Sequence, residues 1–194
     1  MTNNLKKLIS FTSLMTLSLH LHAINYYISP TGNDNNAGTR EEAPLASLAT
    51  VQKKVKAGDK VYILPGTYQV KENEMMDRTS SNVWDIIFDF ATSGTADSPI
   101  IYKGVQDAQG NRPVFDLSAI NTGKRLTGFY IRAKYLEFSN FEVIGINVPK
   151  SSSNTQSENI RINGGSYCRF YNIAAHDGMG IGFYLTGRSA HNII

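Results

Sequence analysis

Short runs of apolar residues, rich in the β-branched and aromatic types that favour strands, recur along most of the chain. Most are bounded by Gly, Asn, Asp or Ser, and they lie at 25–29, 59–68, 100–103, 113–116, 128–131, 135–144, 159–162, 167–175 and 182–185. Such runs predict strands, so we expect an all-β protein. Their spacing alone suits a sandwich or a barrel as well as a solenoid.

One segment between the first two predicted strands has helical periodicity instead. Leu45, Leu48 and Val51 recur at three- and four-residue steps, and Val55 continues the series. Gly58 follows as a stop signal. We therefore expect one short amphipathic helix that covers an apolar surface.

An internal repeat decides among the β architectures. Residues 135–143 align with residues 167–175, and the Tyr, Phe, Asn and apolar positions coincide. A third copy starts near the end of the sequence, where Asn192 aligns with Cys168 at a smaller offset. Conserved strands joined by loops of unequal length are typical of stacked solenoid rungs, so the sequence predicts a parallel β-helix.

Asn140 and Asn172 occupy the same position in this repeat. A buried amide needs hydrogen-bond partners, and stacked copies of one residue supply them to each other. We therefore expect an amide ladder inside the coil, with a structural role and no part in substrate binding.

The N-terminus has the layout of an export signal. Lys6 and Lys7 precede an apolar run at 8–21 and the small residue Ala23, which predicts a signal peptide over 1–23. The run is short and interrupted for a membrane span. We expect the mature chain, 24–194, to be secreted or periplasmic, without membrane insertion after cleavage.

The charge balance argues against one class of partner. The chain has 19 Lys and Arg against 16 Asp and Glu, and cleavage would remove two lysines and no acid. A nearly neutral mature chain is not typical of a nucleic-acid-binding protein. A polyanionic glycan remains compatible, because a local cleft and not the global charge would hold it.

The opening of the mature sequence resembles the start of secreted parallel β-helix polysaccharide lyases. The residues concerned are YYISPTGND at 26–34 and AGDKVYILPGTY at 57–68. A later segment, NIAAHDGMGIG at 172–182, is most similar to polysaccharide lyase family 9, the pectate and rhamnogalacturonan lyases. The resemblance implies a right-handed parallel β-helix with a short N-terminal capping helix, whose cap and first strand cover 24–68 and whose rungs cover 100–194.

The same resemblance implies β-elimination at a uronic acid of an acidic plant polysaccharide, pectate or rhamnogalacturonan. In that reaction Ca²⁺ neutralises the sugar carboxylate and a lysine removes the neighbouring proton. The family's main calcium cluster and its lysine belong to rungs that follow Ile194, so no catalytic residue is expected in this chain. We expect an N-terminal fragment of a longer lyase, truncated at its C-terminal end and inactive alone.

Asp177 is the exception, because it falls where the family has a calcium ligand, and the resemblance implies that role for it. A structural interpretation stands beside it. His176 and Asp177 would form a corner in which Asp177 caps turn amides, while Gly178, Gly180 and Gly182 permit a tight bend. Both interpretations remain open at this point.

Other functions and sites also remain open. A non-catalytic glycan-binding or adhesin-like β-helix is one alternative, and a hydrolase that uses carboxylates without calcium is another. Some residues could contact a glycan, although solvated surface charge and core packing are the simpler interpretations. These residues are the basic Lys124, Arg125, Lys134 and Arg188, and the aromatic Trp84, Phe88 and Phe90 of a predicted insertion.

Overall fold

The computed structural model describes residues 22–77, 84–149 and 156–194. The predicted signal peptide lies almost wholly outside the described residues. The described chain forms strands β1 Asn25–Ile28, β2 Lys60–Ile63, β3 Thr67–Gln69, β4 Trp84–Phe90, β5 Ile100–Gly104, β6 Val114–Asp116, β7 Arg125–Ile131, β8 Leu136–Ile144, β9 Glu158–Asn163, β10 Arg169–His176 and β11 Ile181–Thr186. The helices are α1 Leu48–Gln52 and a 3₁₀ turn at Glu72–Glu74.

These strands stack in parallel on three faces. The first face has the order β1-β2-β5-β8-β10, and the second has the order β3-β6-β8-β10. The third face is β4-β7-β9-β11. Because each turn of the chain adds one strand to each face, the fold is a parallel β-helix, as the sequence predicts.

The predicted repeat is confirmed in the strand register. Phe170 pairs with Phe138, and the first face continues where Arg169 bridges Ile193. The ring of Tyr167 stacks on Tyr135 with centroids 4.9 Å apart. The aligned copies in the sequence are therefore neighbours in successive rungs.

The amide ladder is also present, but its predicted location was wrong. The side-chain nitrogen of Asn172 donates to the Asn140 side-chain oxygen at 2.9 Å, on the exposed outside of the coil. Both residues have positive φ, 51° and 59°. This left-handed conformation, which Asn tolerates better than most residues, bends β8 and β10 from the first face to the second and leaves the amides outside.

Aromatic columns fill the interior in place of the amides. Phe138 stacks on Tyr102 and on Phe170, with centroids 5.1 Å apart in both pairs. Phe129 of the third face stacks on Phe141, which begins the second. Each buried phenylalanine contributes about 1.5–3 kcal/mol by burial, so these columns hold the rungs in register.

The N-terminal end is closed by β1 and α1. The Ser47 side chain caps α1 by accepting from the Thr50 amide at 3.2 Å. Leu48 and Val51 are buried in the same core as the rungs. The short helix therefore packs on the apolar end of the solenoid, as predicted.

The segment predicted to be an insertion is a regular part of the solenoid. It forms β4, the first strand of the third face. Phe88 and Phe90 belong to the core, as expected, whereas Trp84 is half-buried and lies outside the core cluster.

Candidate functional site

Asp177 lies at the corner where the chain leaves β10 and turns towards β11. Its φ of 49° makes it the left-handed residue of this corner. The side chain is 79% exposed, and Oδ2 lies 2.9 Å from Nδ1 of His176. Within the described residues no turn amide donates to this carboxylate, so the alternative in which Asp177 caps the turn is wrong.

The glycines after Asp177 serve a different purpose from the one predicted. A Cβ on Gly178 would lie 2.8 Å from the Ile146 backbone nitrogen, and one on Gly180 would lie 2.5 Å from the Ser157 carbonyl oxygen. These positions need glycine because the corner packs tightly on the preceding rung. Gly182 has only ordinary contacts.

Asp177 belongs to a row of four charged residues across the second face. Nη2 of Arg112 donates to Oε1 of Glu142 at 2.5 Å. Oε2 of Glu142 lies 3.1 Å from Nε2 of His176, whose other ring nitrogen faces Asp177. We call this row, Arg112–Glu142–His176–Asp177, the corner network.

His176 and Asp177 were predicted from the sequence, whereas their partners Arg112 and Glu142 were not. Arg112 lies in the loop before β6, and Glu142 lies in β8, one rung below His176. The repeat alignment places Glu142 opposite Ala174, two residues from His176. Side chains two residues apart share one face of a strand. The repeat alignment therefore could have predicted that Glu142 and His176 lie close together on the same face.

The network shifts the pKa values of Glu142 and His176. Partial burial opposes ionisation of Glu142, but hydrogen bonds from His176 and Arg112 together outweigh it and lower the pKa of Glu142. The pKa of His176 is raised by hydrogen bonds to Glu142 and then to Asp177. With a carboxylate at each ring nitrogen, the imidazolium form satisfies both contacts.

The described residues do not by themselves fit a calcium ion. Calcium takes six to eight oxygen ligands, whereas the two Glu142 oxygens already contact Arg112 and His176, and one Asp177 oxygen contacts His176. In the described part of the chain no group of three or more His, Cys, Asp or Glu residues is arranged to hold a metal ion. Asp177 can offer only one ligand to a shared site.

A shallow groove of about 550 Å³ runs beside the corner network on the second face. Thr67, Asp107, Asn111, Arg112 and Glu142 contribute to its walls. Its polar lining suits a hydrated ligand such as a sugar better than an apolar one.

Comparison with known proteins places this architecture in a family. The sequence model described as "Pel9A-like, right handed beta helix region" matches residues 26–194. The chain belongs to the Pel9A-like right-handed β-helix family. The handedness predicted from the sequence is thereby confirmed.

Relatives of this Pel9A-like chain include pectate lyases. Pectate lyase L of Dickeya dadantii is 26% identical over 171 residues, which cover 87% of this chain and 35% of the relative. Pectate lyase PEL9 of Emericella nidulans is 26% identical over 186 residues, covering 89% of this chain and 38% of the relative. The chain thus spans little more than a third of the length of these enzymes.

A solved structure of a rhamnogalacturonan lyase is more similar in sequence. It is 40% identical with a TM-score of 0.74, over 84% of this chain and 38% of that one. The resemblance to polysaccharide lyases is therefore confirmed for the fold and the family. Among the described residues no helix has the length and apolar character needed to cross a membrane.

Proposed function

We propose that this chain forms the N-terminal rungs of a calcium-dependent polysaccharide lyase that cleaves uronic-acid-containing glycans, pectate or rhamnogalacturonan, by β-elimination. The observation that carries the proposal is the 40% identity to a rhamnogalacturonan lyase over most of this chain. The pectate lyases among the curated relatives support the same reaction class.

The chemistry requires more than the described residues offer. A proton next to a sugar carboxylate is too weakly acidic to leave near neutral pH unless the developing negative charge is neutralised, which a divalent cation does when bound. Asp177 is the residue of this chain that we propose as one ligand. The other ligands and the basic lysine are proposed to come from other rungs of the whole protein, so this chain alone is expected to be inactive.

Within this chain the corner network would position Asp177. His176 contacts Asp177 on one side and Glu142 on the other. Glu142 is in turn held by Arg112. The network thus limits the rotation of an otherwise exposed carboxylate, which lowers the entropy lost when the carboxylate binds a ligand.

Export is proposed with this function. Cleavage after Ala23 would make Ile24 the first residue, and the backbone nitrogen of Ile24 lies 2.8 Å from Oδ1 of Asp59. Asp59 is only 3% exposed, so the new α-ammonium group would gain a shielded carboxylate partner. Intact-mass analysis of the exported protein should give a first residue of Ile24, and any other start contradicts this step.

The test of the proposed function is a product assay on the whole protein. Elimination leaves an unsaturated uronide that absorbs in the ultraviolet, whereas hydrolysis does not. We expect absorbance to rise with pectate or rhamnogalacturonan in calcium and to stop with chelator. Cleavage without absorbance would indicate a hydrolase, and binding without cleavage would indicate a non-catalytic glycan-binding β-helix.

A further inference from the structure

The outer side of the third face carries an arginine in an unusual environment. Arg161 lies in β9 between Ile160 and Ile162, which both belong to the core. Because neighbouring side chains in a strand point to opposite sides, Arg161 is on the outer side. It pairs in register with Tyr130 of β7 and Tyr184 of β11.

Two aromatic rings flank the Arg161 guanidinium. Its central carbon lies 4.9 Å from the centroid of the Trp84 ring and 5.2 Å from that of Tyr184. Arg161 is only 9% exposed. Within the described part of the chain, its Nε and Nη1 are buried and have no hydrogen-bond partner. Buried donors of this kind are rare in folded proteins, because leaving them unpaired is costly.

The nearest carboxylate is already engaged with another arginine. Oε1 of Glu158 accepts from Nη2 of Arg125 at 2.9 Å, and it lies 3.6 Å from Nη1 of Arg161, too far for a hydrogen bond. Thr127 donates to the second Glu158 oxygen. Glu158 is fully buried, so one shielded carboxylate faces two guanidinium groups.

The cluster therefore carries one positive charge more than its acid can neutralise. The segments outside the described residues, 1–21, 78–83 and 150–155, contain no Asp or Glu. They cannot supply the missing carboxylate. An anion with oxygen acceptors would neutralise the extra charge and satisfy the unpaired donors, because the planar guanidinium binds such groups in a bidentate manner.

We propose that Arg161, together with Arg125, Trp84 and Tyr184, binds the carboxylate of a uronic acid residue in an acidic glycan. The guanidinium groups receive the carboxylate, and the half-buried aromatic rings contact the sugar. This subsite rests on the proposed function for its substrate class. It lies on the third face, apart from the corner network on the second.

The competing interpretation is that the two rings alone satisfy Arg161, through cation–π contacts, and that the arginine has only a structural role. The two interpretations differ in ligand discrimination. A structural arginine would influence stability and would not distinguish a charged sugar from its neutral ester.

The experiment compares wild type, Arg161→Gln and Arg188→Gln in the whole protein. Arg188→Gln removes the same charge at an exposed position on the turn after β11. Affinity is measured by calorimetry for an oligogalacturonate and for the same oligosaccharide fully methyl-esterified. Thermal unfolding of each variant shows whether it is folded.

We expect wild type and Arg188→Gln to prefer the acid over the ester, and Arg161→Gln to lose about tenfold or more of that preference. Arg161→Lys, which keeps the charge but not the planar fork, should give an intermediate value. Equal preference in folded Arg161→Gln and wild type would overturn the proposal. So would loss of the preference in Arg188→Gln to the same extent, because the effect would then be one of net charge.

The ultraviolet assay separates this outcome from the fate of the proposed function. Lyase activity together with an unchanged preference in Arg161→Gln would reject the subsite and leave the lyase. An Arg161-dependent preference without any unsaturated product would reject the lyase and leave a glycan-binding site.

Discussion

Two charge clusters on neighbouring faces of the solenoid differ in burial and in balance. The corner network on the second face is partly exposed, and when His176 is protonated its two cations, Arg112 and His176, match the two acids Glu142 and Asp177. The cluster on the third face is more deeply buried, and there Arg125 and Arg161 share the fully buried Glu158. The charges of the corner network can balance one another, whereas the cluster on the third face has one positive charge that a bound anion would balance.

Burial decides how much each cluster contributes to stability. Water screens the ion pairs of the corner network, so each is worth about 0–1 kcal/mol. Removing one partner from a buried cluster leaves uncompensated charge and costs about 3–5 kcal/mol. The two clusters should therefore respond very differently to the same chemical change.

The largest expected effect follows from Glu158→Gln. This change leaves Arg125 and Arg161 without an acid in a shielded site, and we expect the free energy of unfolding to fall by about 3–5 kcal/mol. Urea denaturation measures it. The matched control is Glu142→Gln in the corner network, which should cost about 1 kcal/mol or less. If both variants lost the same free energy of unfolding, burial would not distinguish the two clusters.

A smaller effect is expected at the amide ladder beside the corner network. Asn172→Ala removes the side-chain hydrogen bonds to Asn140 and Arg112 and leaves alanine in left-handed backbone, so the free energy of unfolding should fall by about 2 kcal/mol. Asn172→Gly removes the same two bonds without that backbone penalty and should cost less. If both variants lose the same stability, the left-handed bend does not contribute.

The smallest effect concerns the dependence of stability on pH. His176 has a pKa raised above its ordinary value of 6.5, so its protonation favours the folded state. This contribution is fully present below the unfolded pKa and is lost as the pH rises through the folded pKa. His176→Gln should remove that part of the pH profile of unfolding, while an NMR titration of wild type should show a His176 pKa above 6.5. Identical profiles for the two proteins would contradict the network.

The sequence predicted the rungs wherever neighbouring copies share residues. Tyr135 and Tyr167, like Asn140 and Asn172, recur because stacked positions select the same side chain. The sequence did not predict that the ladder is exposed, since its position depends on the left-handed bend.

The third face was harder to predict because its strands share little sequence. Trp84 starts β4 and contacts Arg161 in β9, two rungs away. The loops that separate these strands in the sequence differ in length, so the contact has no fixed spacing along the chain. The simpler interpretation of Arg125 as solvated surface charge was wrong, because it pairs with buried Glu158. Lys124 likewise contacts buried Asp85 at 3.2 Å. Such pairs are set by the stacking of rungs and have no local sequence signal.

The most direct test of the central claim is a calcium titration of the whole protein and its Asp177→Asn variant, followed by ultraviolet absorbance on rhamnogalacturonan and pectate. Our account predicts calcium-dependent unsaturated product from wild type, and a requirement for more calcium in Asp177→Asn, because one carboxylate ligand is lost. Arg132→Gln, a change at an exposed surface pair, should leave the requirement unchanged. No unsaturated product from the wild-type protein on either glycan, at any calcium concentration, would contradict the account.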